Sequence, residues 1–256
     1  MSARNVFEHP LNERMRAFLR LSELFTRAQH FLVGASQHDA QCALLTLLEL
    51  SELTSRVDLK RELMKELERQ SANLTRLTRT PGIDTEKLVG VLEQQKSLVQ
   101  RLHGLNGPIG AAVKNNELLA AVAQRSKIPG GLCEFDLPVL HHWLRQPIED
   151  RRDMLLGWLA PFAVVQEGIT VILDLIRKSA SETPKLAEGG FYQQALDASH
   201  PFQLIRVSLP LDTTVFPEVS AGKQRFTIRF LELNLDDGRT GQIAEDIAFD
   251  LACCAL

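Results

Sequence analysis

The sequence predicts an α+β protein, in which a mainly α-helical domain precedes a small antiparallel β domain built mostly from the C-terminal segment. Through the first three quarters of the chain, apolar residues recur every three or four positions, as they do along one face of an α-helix. After the polar segment 179–190, interpreted as a loop, the spacing changes to alternation, which is typical of half-buried strands. The composition, with 45% hydrophobic and 24% charged residues, is that of a soluble globular protein.

The first two helices are predicted from capping residues and apolar spacing. The first begins after Asn12, a good N-cap, and its apolar residues recur at spacings of three and four. Three basic residues share its opposite side and predict a basic outer face: Arg16, Arg20 and Arg27. A second helical run covers about residues 40–53.

A projecting helical hairpin is predicted at about residues 58–102. Its first helix begins at Asp58, carries a long leucine stripe beside many charges, and stops at residues 80–82 (TPG). Asp84 can cap the second helix. The leucine stripe can pack against a partner subunit or be used within the monomer, and both uses stay open.

Two further helices are predicted after chain breaks. The segment 104–110 (GLNGPIG) ends the hairpin and is followed by a shorter helix near residues 116–124. Asp136 is predicted to cap a later helix that contains His141 and Trp143.

The C-terminal part contains three predicted strands, within residues 203–209, 225–233 and 247–253. In the second strand (RFTIRFLEL), one face carries Phe226, Ile228 and Phe230, and the other carries Arg225, Thr227 and Arg229. A short segment before Pro10 is expected to add an edge strand. The predicted domains are therefore a helical domain at 10–180 and a β domain at 190–254 together with residues 5–8.

No segment is predicted to cross a membrane. Even the most apolar stretch, 154–176, contains Gln166, Glu167 and Asp174. This stretch is predicted to be kinked at Pro161 and to form the centre of the core. The N-terminus has no apolar signal core and the four cysteines form no C-x-x-C pair, so we expect a cytoplasmic protein.

The sequence predicts neither catalysis nor a bound cofactor or metal. GLNGPIG lacks the terminal Lys-Ser/Thr of a phosphate-binding loop, and neither G-x-S-x-G nor H-E-x-x-H occurs. His141 and His142 are adjacent, so on a helix they point about 100° apart and share one metal with difficulty. An equally good interpretation is that one of the two histidines has a structural role and is buried beside Trp143. A small-molecule enzyme using these histidines near Asp136 stays open as a minor alternative.

Nucleic-acid binding is disfavoured by charge. The formal net charge is −3, with 29 basic and 32 acidic residues, so any basic surface must be local. One local candidate is the strand face on which Arg225 and Arg229 flank Thr227, where successive side chains are about 7 Å apart. Each guanidinium can bind a carboxylate through two hydrogen bonds. Two solvated arginines on an open sheet face explain the same spacing, and both interpretations stay open.

Several stretches resemble the ZapD family of bacterial cell division proteins. They are residues 6–20 (VFEHPLNERMRAFLR), 61–70, 128–144 (IPGGLCEFDLPVLHHWL), 171–180, 225–230 and 249–254, in the family's order. The resemblance implies a non-enzymatic, cytoplasmic homodimer without a cofactor. It also implies a protein at the division site, midcell, that binds the C-terminal tail of the tubulin-like GTPase FtsZ and bundles FtsZ filaments to promote Z-ring assembly. A helical adaptor for another acidic peptide or nucleic acid is the alternative.

The resemblance also implies which residues bind the tail. The family's basic tail-binding positions match Arg20, Arg56, His141, Arg225 and Arg229. Another basic position of the family aligns with Glu117, with Lys114 as the nearest possible substitute. This departure puts in doubt that every family contact is used identically here.

Overall fold

The chain forms two compact units, a β unit and a helical unit. The computed structural model describes residues 4–56, 58–77, 84–105, 107–197 and 199–256, without the side chains of Arg56, Leu77 and Ala112. The β unit consists of the residues up to Ala17 and of Leu173–Leu256, and the helical unit is Phe18–Ile172. The predicted α+β class is confirmed. The domain boundaries inferred from the sequence stay a prediction.

The helices follow the predicted apolar spacing. They are α1 Glu13–Val33, α2 Gln37–Arg56, α3 Leu59–Leu77, α4 Thr85–His103, α5 Ala111–Lys114, α6 Glu117–Arg125, α7 Pro138–Leu144, α8 Ile148–Leu159 and α9 Ala163–Lys178. The predicted N-caps of α1 and α4 are confirmed, because Asn12 and Asp84 accept hydrogen bonds from the backbone N–H groups of Met15 (2.9 Å) and Lys87 (3.1 Å). The short helix α5 was not predicted.

The predicted cap of α7 is wrong. The helix begins at Pro138, whose fixed φ suits the first helical turn, and Leu137 occupies the cap position without a side-chain bond. Asp136 instead accepts a hydrogen bond from the Cys133 Sγ at 3.4 Å. The predicted stop at residues 80–82 lies outside the described residues.

Helices α3 and α4 form the predicted antiparallel hairpin. At one end the Lys60 Nζ donates to the backbone oxygens of His103 (3.3 Å) and Leu105 (2.9 Å). Towards the other end the Ser71 hydroxyl donates to the Gln95 Oε1 at 2.6 Å. The leucine stripe of α3 is buried within the chain, through Leu59, Leu63, Leu67 and Leu74.

A buried row of polar side chains connects α3 with α4 and with Ile172. The Gln95 Nε2 donates to the Gln70 Oε1 at 3.2 Å. The Gln70 Nε2 in turn donates to the Glu66 Oε1 at 3.2 Å and to the Ile172 backbone oxygen at 3.4 Å. Glu66, Gln70 and Gln95 are all 0% exposed, and Arg69 pairs with the Glu66 carboxylate at 2.6 Å. These bonds offset the cost of burying the polar groups.

A 3₁₀ turn, Ala160–Phe162, interrupts the apolar stretch between α8 and α9 at Pro161, the position at which a kink was predicted. Among the described residues, Ile148–Lys178 is one helical stretch of 31 residues that is long and apolar enough to cross a membrane. Within its most apolar window, 44% is buried inside the protein. The fully or nearly fully buried side chains include Val165, Ile169 and Ile172. These three buried residues belong to α9, whereas Met154 and Leu156 of α8 are exposed, so the core role predicted for the whole stretch is filled mainly by α9.

The β unit contains two antiparallel sheets. The strands are β1 Arg4–Pro10, β2 Thr183–Ala187, β3 Phe191–Ala195, β4 Phe202–Pro210, β5 Val215–Ala221, β6 Arg225–Leu233, β7 Thr240–Gln242 and β8 Ile247–Ala255. Sheet A has the order β1-β4-β8-β2, and sheet B has the order β3-β6-β5 with β7 also paired to β6. The predicted strands β4, β6 and β8 and the predicted edge strand β1 are confirmed. The loop expected at 179–190 is wrong, because β2 lies within it.

The two sheets share one apolar core, so the prediction of a single small sheet is corrected. Sheet A contributes Ile205, Val207 and Leu251, among others, and sheet B contributes Phe226, Ile228 and Phe230. The rings of Phe230 and Phe249 lie 5.1 Å apart between their centroids, and they join the two sheets directly.

An ion cluster stabilises the opposite face of sheet A. The Glu8 carboxylate of β1 accepts two hydrogen bonds from Arg177, at 2.8 and 2.7 Å, and one from Arg206 of β4 at 3.2 Å. The hydrogen bond to Glu8 raises the pKa of Arg177. This bidentate geometry holds the end of α9 against β1 and β4.

We predict that Gln95→Leu lowers the free energy of unfolding by about 1–3 kcal/mol, because it leaves buried polar atoms of Gln70 and Ser71 without their partner. Urea denaturation measures the change. The matched control is Gln94→Leu, the same substitution at the exposed neighbouring position, which should change stability by no more than about 0.5 kcal/mol. Equal effects of the two substitutions would contradict a stabilising role for the buried row.

Candidate functional site

The outer face of sheet B carries the two strand arginines. Because Phe226 and Ile228 point into the core, the alternate residues Arg225, Thr227 and Arg229 point away from it. Both arginines are exposed. The prediction that they share one open strand face is confirmed.

The neighbouring strands define what surrounds each arginine. In the register of sheet B, Arg225 lies opposite Ala195 of β3, and Arg229 lies between Phe191 of β3 and Glu218 of β5. The arginines are four positions apart along β6, which corresponds to about 13 Å between their Cα atoms.

Neither strand arginine is neutralised within the part of the chain that the structure describes. No hydrogen bond or ion pair joins the guanidinium of Arg225 or Arg229 to any of those residues. The carboxylate of Glu218, although opposite Arg229 in the register, forms no ion pair with it in the same described region. Both guanidinium groups are therefore available to bind a carboxylate from outside the chain.

The predicted basic face of α1 is only partly present. Arg16 pairs with Glu13 at 3.3 Å, and Arg27 turns towards α2, where it pairs with Glu49 at 2.5 Å and donates to the Thr46 hydroxyl at 3.0 Å. Arg20 is exposed and makes no hydrogen bond or ion pair with the described residues. Of these three arginines, Arg20 is thus the one that retains a free guanidinium.

Two further candidates, Arg56 and His141, also belong to the helical unit. Arg56 is the last residue of α2, and its side chain lies outside the described part of the structure. His141 lies in the last turn of α7, with its Nε2 at 3.4 Å from the Glu134 carboxylate and its side chain 34% exposed. The interpretation that one of the two histidines is buried beside Trp143 is wrong, because His141 is half-buried and His142 is exposed, whereas Trp143 itself is buried with its ring centroid 5.8 Å from that of Trp158.

Glu117, where the sequence departs from the family pattern, and its proposed substitute Lys114 are both exposed. Glu117 is the first residue of α6, and Lys114 is the last residue of α5. Lys114 borders a groove of about 710 Å³ between α2 and the α5–α6 region, which Glu49 and Lys127 also line. Its exposed ammonium group is accessible to an acidic partner, so Lys114 remains a possible substitute for the missing basic residue.

The titratable groups of the alternative enzyme site do not converge. The Asp136 carboxylate faces Arg125 at 3.7 Å and Cys133, whereas the His142 Nε2 lies 3.0 Å from the Gln146 Nε2. Within the described ranges, no group of three or more His, Cys, Asp or Glu side chains could hold a metal ion.

The most buried cysteine is chemically inert at neutral pH. Burial raises the pKa of the Cys254 thiol to about 11. A thiol with this pKa is almost entirely protonated near pH 7 and is a poor nucleophile.

The sequence reasoning missed three residues on the outer face of sheet B. Phe191, Phe216 and Glu218 reach this face through β3 and β5, which were not predicted. The alternation in these strands is short, with five residues in β3 and a proline in β5. Only their pairing with β6 shows that they surround Arg229.

Comparison with known proteins identifies the family. Residues 19–229 match the family model described as the cell division protein ZapD. The cell division protein ZapD of Methylococcus capsulatus is 45% identical over 251 residues, which cover 98% of each chain. The ZapD proteins of Aromatoleum aromaticum (40% over 250 residues) and Coxiella burnetii (37% over 251 residues) each match 98% of this chain and 97% of their own length. The chain belongs to the ZapD family of non-enzymatic cell division proteins.

Proposed function

We propose that this protein binds the C-terminal tail of FtsZ and crosslinks FtsZ filaments, and so promotes assembly of the Z-ring. The observation that carries the proposal is the pair of exposed guanidinium groups of Arg225 and Arg229 on the outer face of sheet B, which no described residue neutralises. Family membership supports a role in cell division. The chemistry of the face supports a carboxylate-containing peptide as the ligand.

The geometry suits an extended acidic peptide. A separation of about 13 Å is spanned by four residue steps of an extended chain, so one extended acidic peptide can reach both arginines. A charge-assisted hydrogen bond contributes about 1.5–3 kcal/mol when it is desolvated, but an exposed ion pair contributes about 0–1 kcal/mol. A few such contacts give an affinity near the micromolar range, about −8 kcal/mol. Arg20, Arg56 and His141 are the further basic contacts that we propose from the family pattern.

Crosslinking follows if the protein is a homodimer, which is part of the proposal. A two-fold dimer presents the same peptide site twice, so one dimer can hold tails from two filaments. Filaments present many tails, and this multivalency turns weak single sites into stable but reversible bundles. Binding to FtsZ would also place the protein in the cytoplasm at the division site.

We predict that the purified protein sediments with GTP-assembled FtsZ from the same organism, but not with FtsZ that lacks its C-terminal tail. The tail is the proposed ligand, so removing it should abolish both co-sedimentation and bundling. Assembly of the shortened FtsZ alone is the control for intact filaments. Equal co-sedimentation with both forms would place the binding site elsewhere on FtsZ.

We predict that Arg225→Glu reduces affinity for a synthetic FtsZ tail peptide at least about tenfold, because an attractive contact becomes a repulsive one. The residue is exposed, so the circular dichroism spectrum and the melting temperature should change little. Arg239→Glu, in the exposed turn after β6, is the matched control and should retain binding. A folded Arg225→Glu variant with undiminished affinity would remove the strand arginines from the site.

We predict that tail binding weakens steadily as ionic strength rises. Exposed charges are screened over about 8–10 Å at physiological salt, and the proposed contacts are largely exposed. Fluorescence anisotropy of a labelled tail peptide across a potassium chloride series measures the effect. An affinity that is independent of salt would exclude guanidinium–carboxylate contacts as the main source of binding.

A further inference from the structure

We propose that the outer face of sheet B has two chemically different ends, so that it binds an acidic peptide in one orientation. A carboxylate of the peptide binds at the Arg225 end, and an apolar side chain of the peptide binds at the Arg229 end. This inference rests on the proposed function and adds to it the orientation of the ligand and the residues that determine it.

The Arg225 end presents an uncompensated positive charge. The residue opposite Arg225 on β3 is Ala195, and on the other side its backbone oxygen accepts a hydrogen bond from the Gly222 N–H at 2.9 Å. Asp197 follows two residues after Ala195, but its carboxylate already accepts hydrogen bonds from the Ser199 N–H (2.9 Å) and pairs with His200 (3.0 Å). An incoming carboxylate at Arg225 therefore meets little competition.

The Arg229 end carries an acidic neighbour. Glu218 lies directly opposite Arg229 on β5 and points to the same face, because the next residue along β5, Val219, packs against the core. Its exposed carboxylate lowers the positive potential around Arg229 and repels a second carboxylate. The two arginines thus differ in their electrostatic surroundings, although they occupy equivalent positions in the alternating pattern of β6.

The Arg229 end is also the apolar end of the face. Phe191 lies opposite Arg229 on β3 and is 39% exposed. Leu231 is the next residue of β6 on this face, and Phe216 lies opposite Leu231 on β5. The register places these three side chains near one another on the outer face of sheet B, where Phe191 is exposed and Leu231 and Phe216 are half-buried; we call them the apolar seat. Partly exposed apolar side chains grouped on one face typically mark interaction sites.

The positive charge at the Arg225 end indicates which ligand occupies the face, because it favours a peptide that carries an acidic residue. From Arg225 to Leu231 the strand advances about 20 Å, so one extended segment of about seven residues spans both ends. Such a segment carries an acidic residue at one end and an apolar residue at the other. A second copy of this chain is the competing occupant, and the experiments below separate the two.

The charge asymmetry is tested with a synthetic peptide of the FtsZ tail from the same organism, by fluorescence anisotropy at low salt. Glu218→Gln should increase affinity about two- to fivefold, and this gain should be smaller in the Arg229→Gln background, because part of the effect of Glu218 is to lower the positive potential around Arg229. Arg225→Gln should weaken binding more than Arg229→Gln does. Glu245→Gln, at an exposed position outside the strands, is the control and should have no effect. An unchanged affinity in Glu218→Gln would overturn the asymmetry.

The apolar end is tested with the same peptide. Leu231→Ala and Phe191→Ala should each weaken binding about threefold to tenfold without changing its salt dependence, because no charge is removed. Leu235→Ala, which is 88% exposed in the turn after β6, is the control and should bind normally. Circular dichroism detects a folding defect in either variant. If one variant is misfolded, the other still tests the apolar end.

The outcomes distinguish the inference from the function on which it rests. If Arg225→Glu retains full affinity for the tail peptide, the proposed binding site itself is wrong. If that variant loses binding but the Glu218, Leu231 and Phe191 variants behave as the unchanged protein, only the two-ended face is wrong. If Leu231→Ala changes the sedimentation mass of the protein and leaves peptide affinity unchanged, the seat is an interface between copies of the chain and the inference is overturned.

Discussion

The apolar packing between the two sheets determines where the candidate binding residues lie. Phe226, Ile228 and Phe230 are at most 1% exposed, and burial of each such side chain contributes about 1.5–3 kcal/mol. Since side chains alternate along a strand, burying these three forces Arg225 and Arg229 to the opposite face. A shift of the pairing by one residue would expose the phenylalanines and bury two guanidinium groups, which is far more costly. The core therefore sets the orientation of the arginines without any contact to them.

The two sheets differ in how their outer faces are used. On the outer face of sheet A, the side chains of Leu204, Ser208 and Cys254 are buried, and Glu8 is held between Arg177 and Arg206. Charges on that face are consequently satisfied within the β unit. On the outer face of sheet B the arginines are exposed, and the described residues leave them uncompensated. The same fold thus holds one set of arginines in ion pairs with a carboxylate and leaves a second set exposed to solvent.

Patterns within a single helix or strand made much of the fold predictable. Features that depend on how separate strands or helices pair left no recognisable pattern in the sequence. Asn12 and Asp84 cap helices through contacts within three residues, and the nine-residue alternation of β6 is long enough to identify a strand and the shared face of its arginines. Asp136 failed as a cap because Pro138 fixes the start of α7. Glu218 joins Arg229 only through the register of β5, and Arg27 is held by the α2 residue Glu49. Neither partner can be identified from spacing along one element. Arg56 was indicated by the family resemblance alone, whereas Arg20 was also part of the predicted basic face of α1 and His141 was also part of the adjacent histidine pair.

The helical unit is inserted into the β unit, between β1 and the remaining strands. Strand β8 lies inside sheet A, between β4 and β2, and it is the last of the described strands to be synthesised. A chain interrupted before residue 247 therefore lacks the strand that joins β4 to β2, and it lacks Phe249 and Leu251 from the core behind β6. The arginines would already be present in such a chain, but no packed sheet would orient them. An unfinished or C-terminally degraded chain would thus lack part of the core that fixes the orientation of the exposed arginine face.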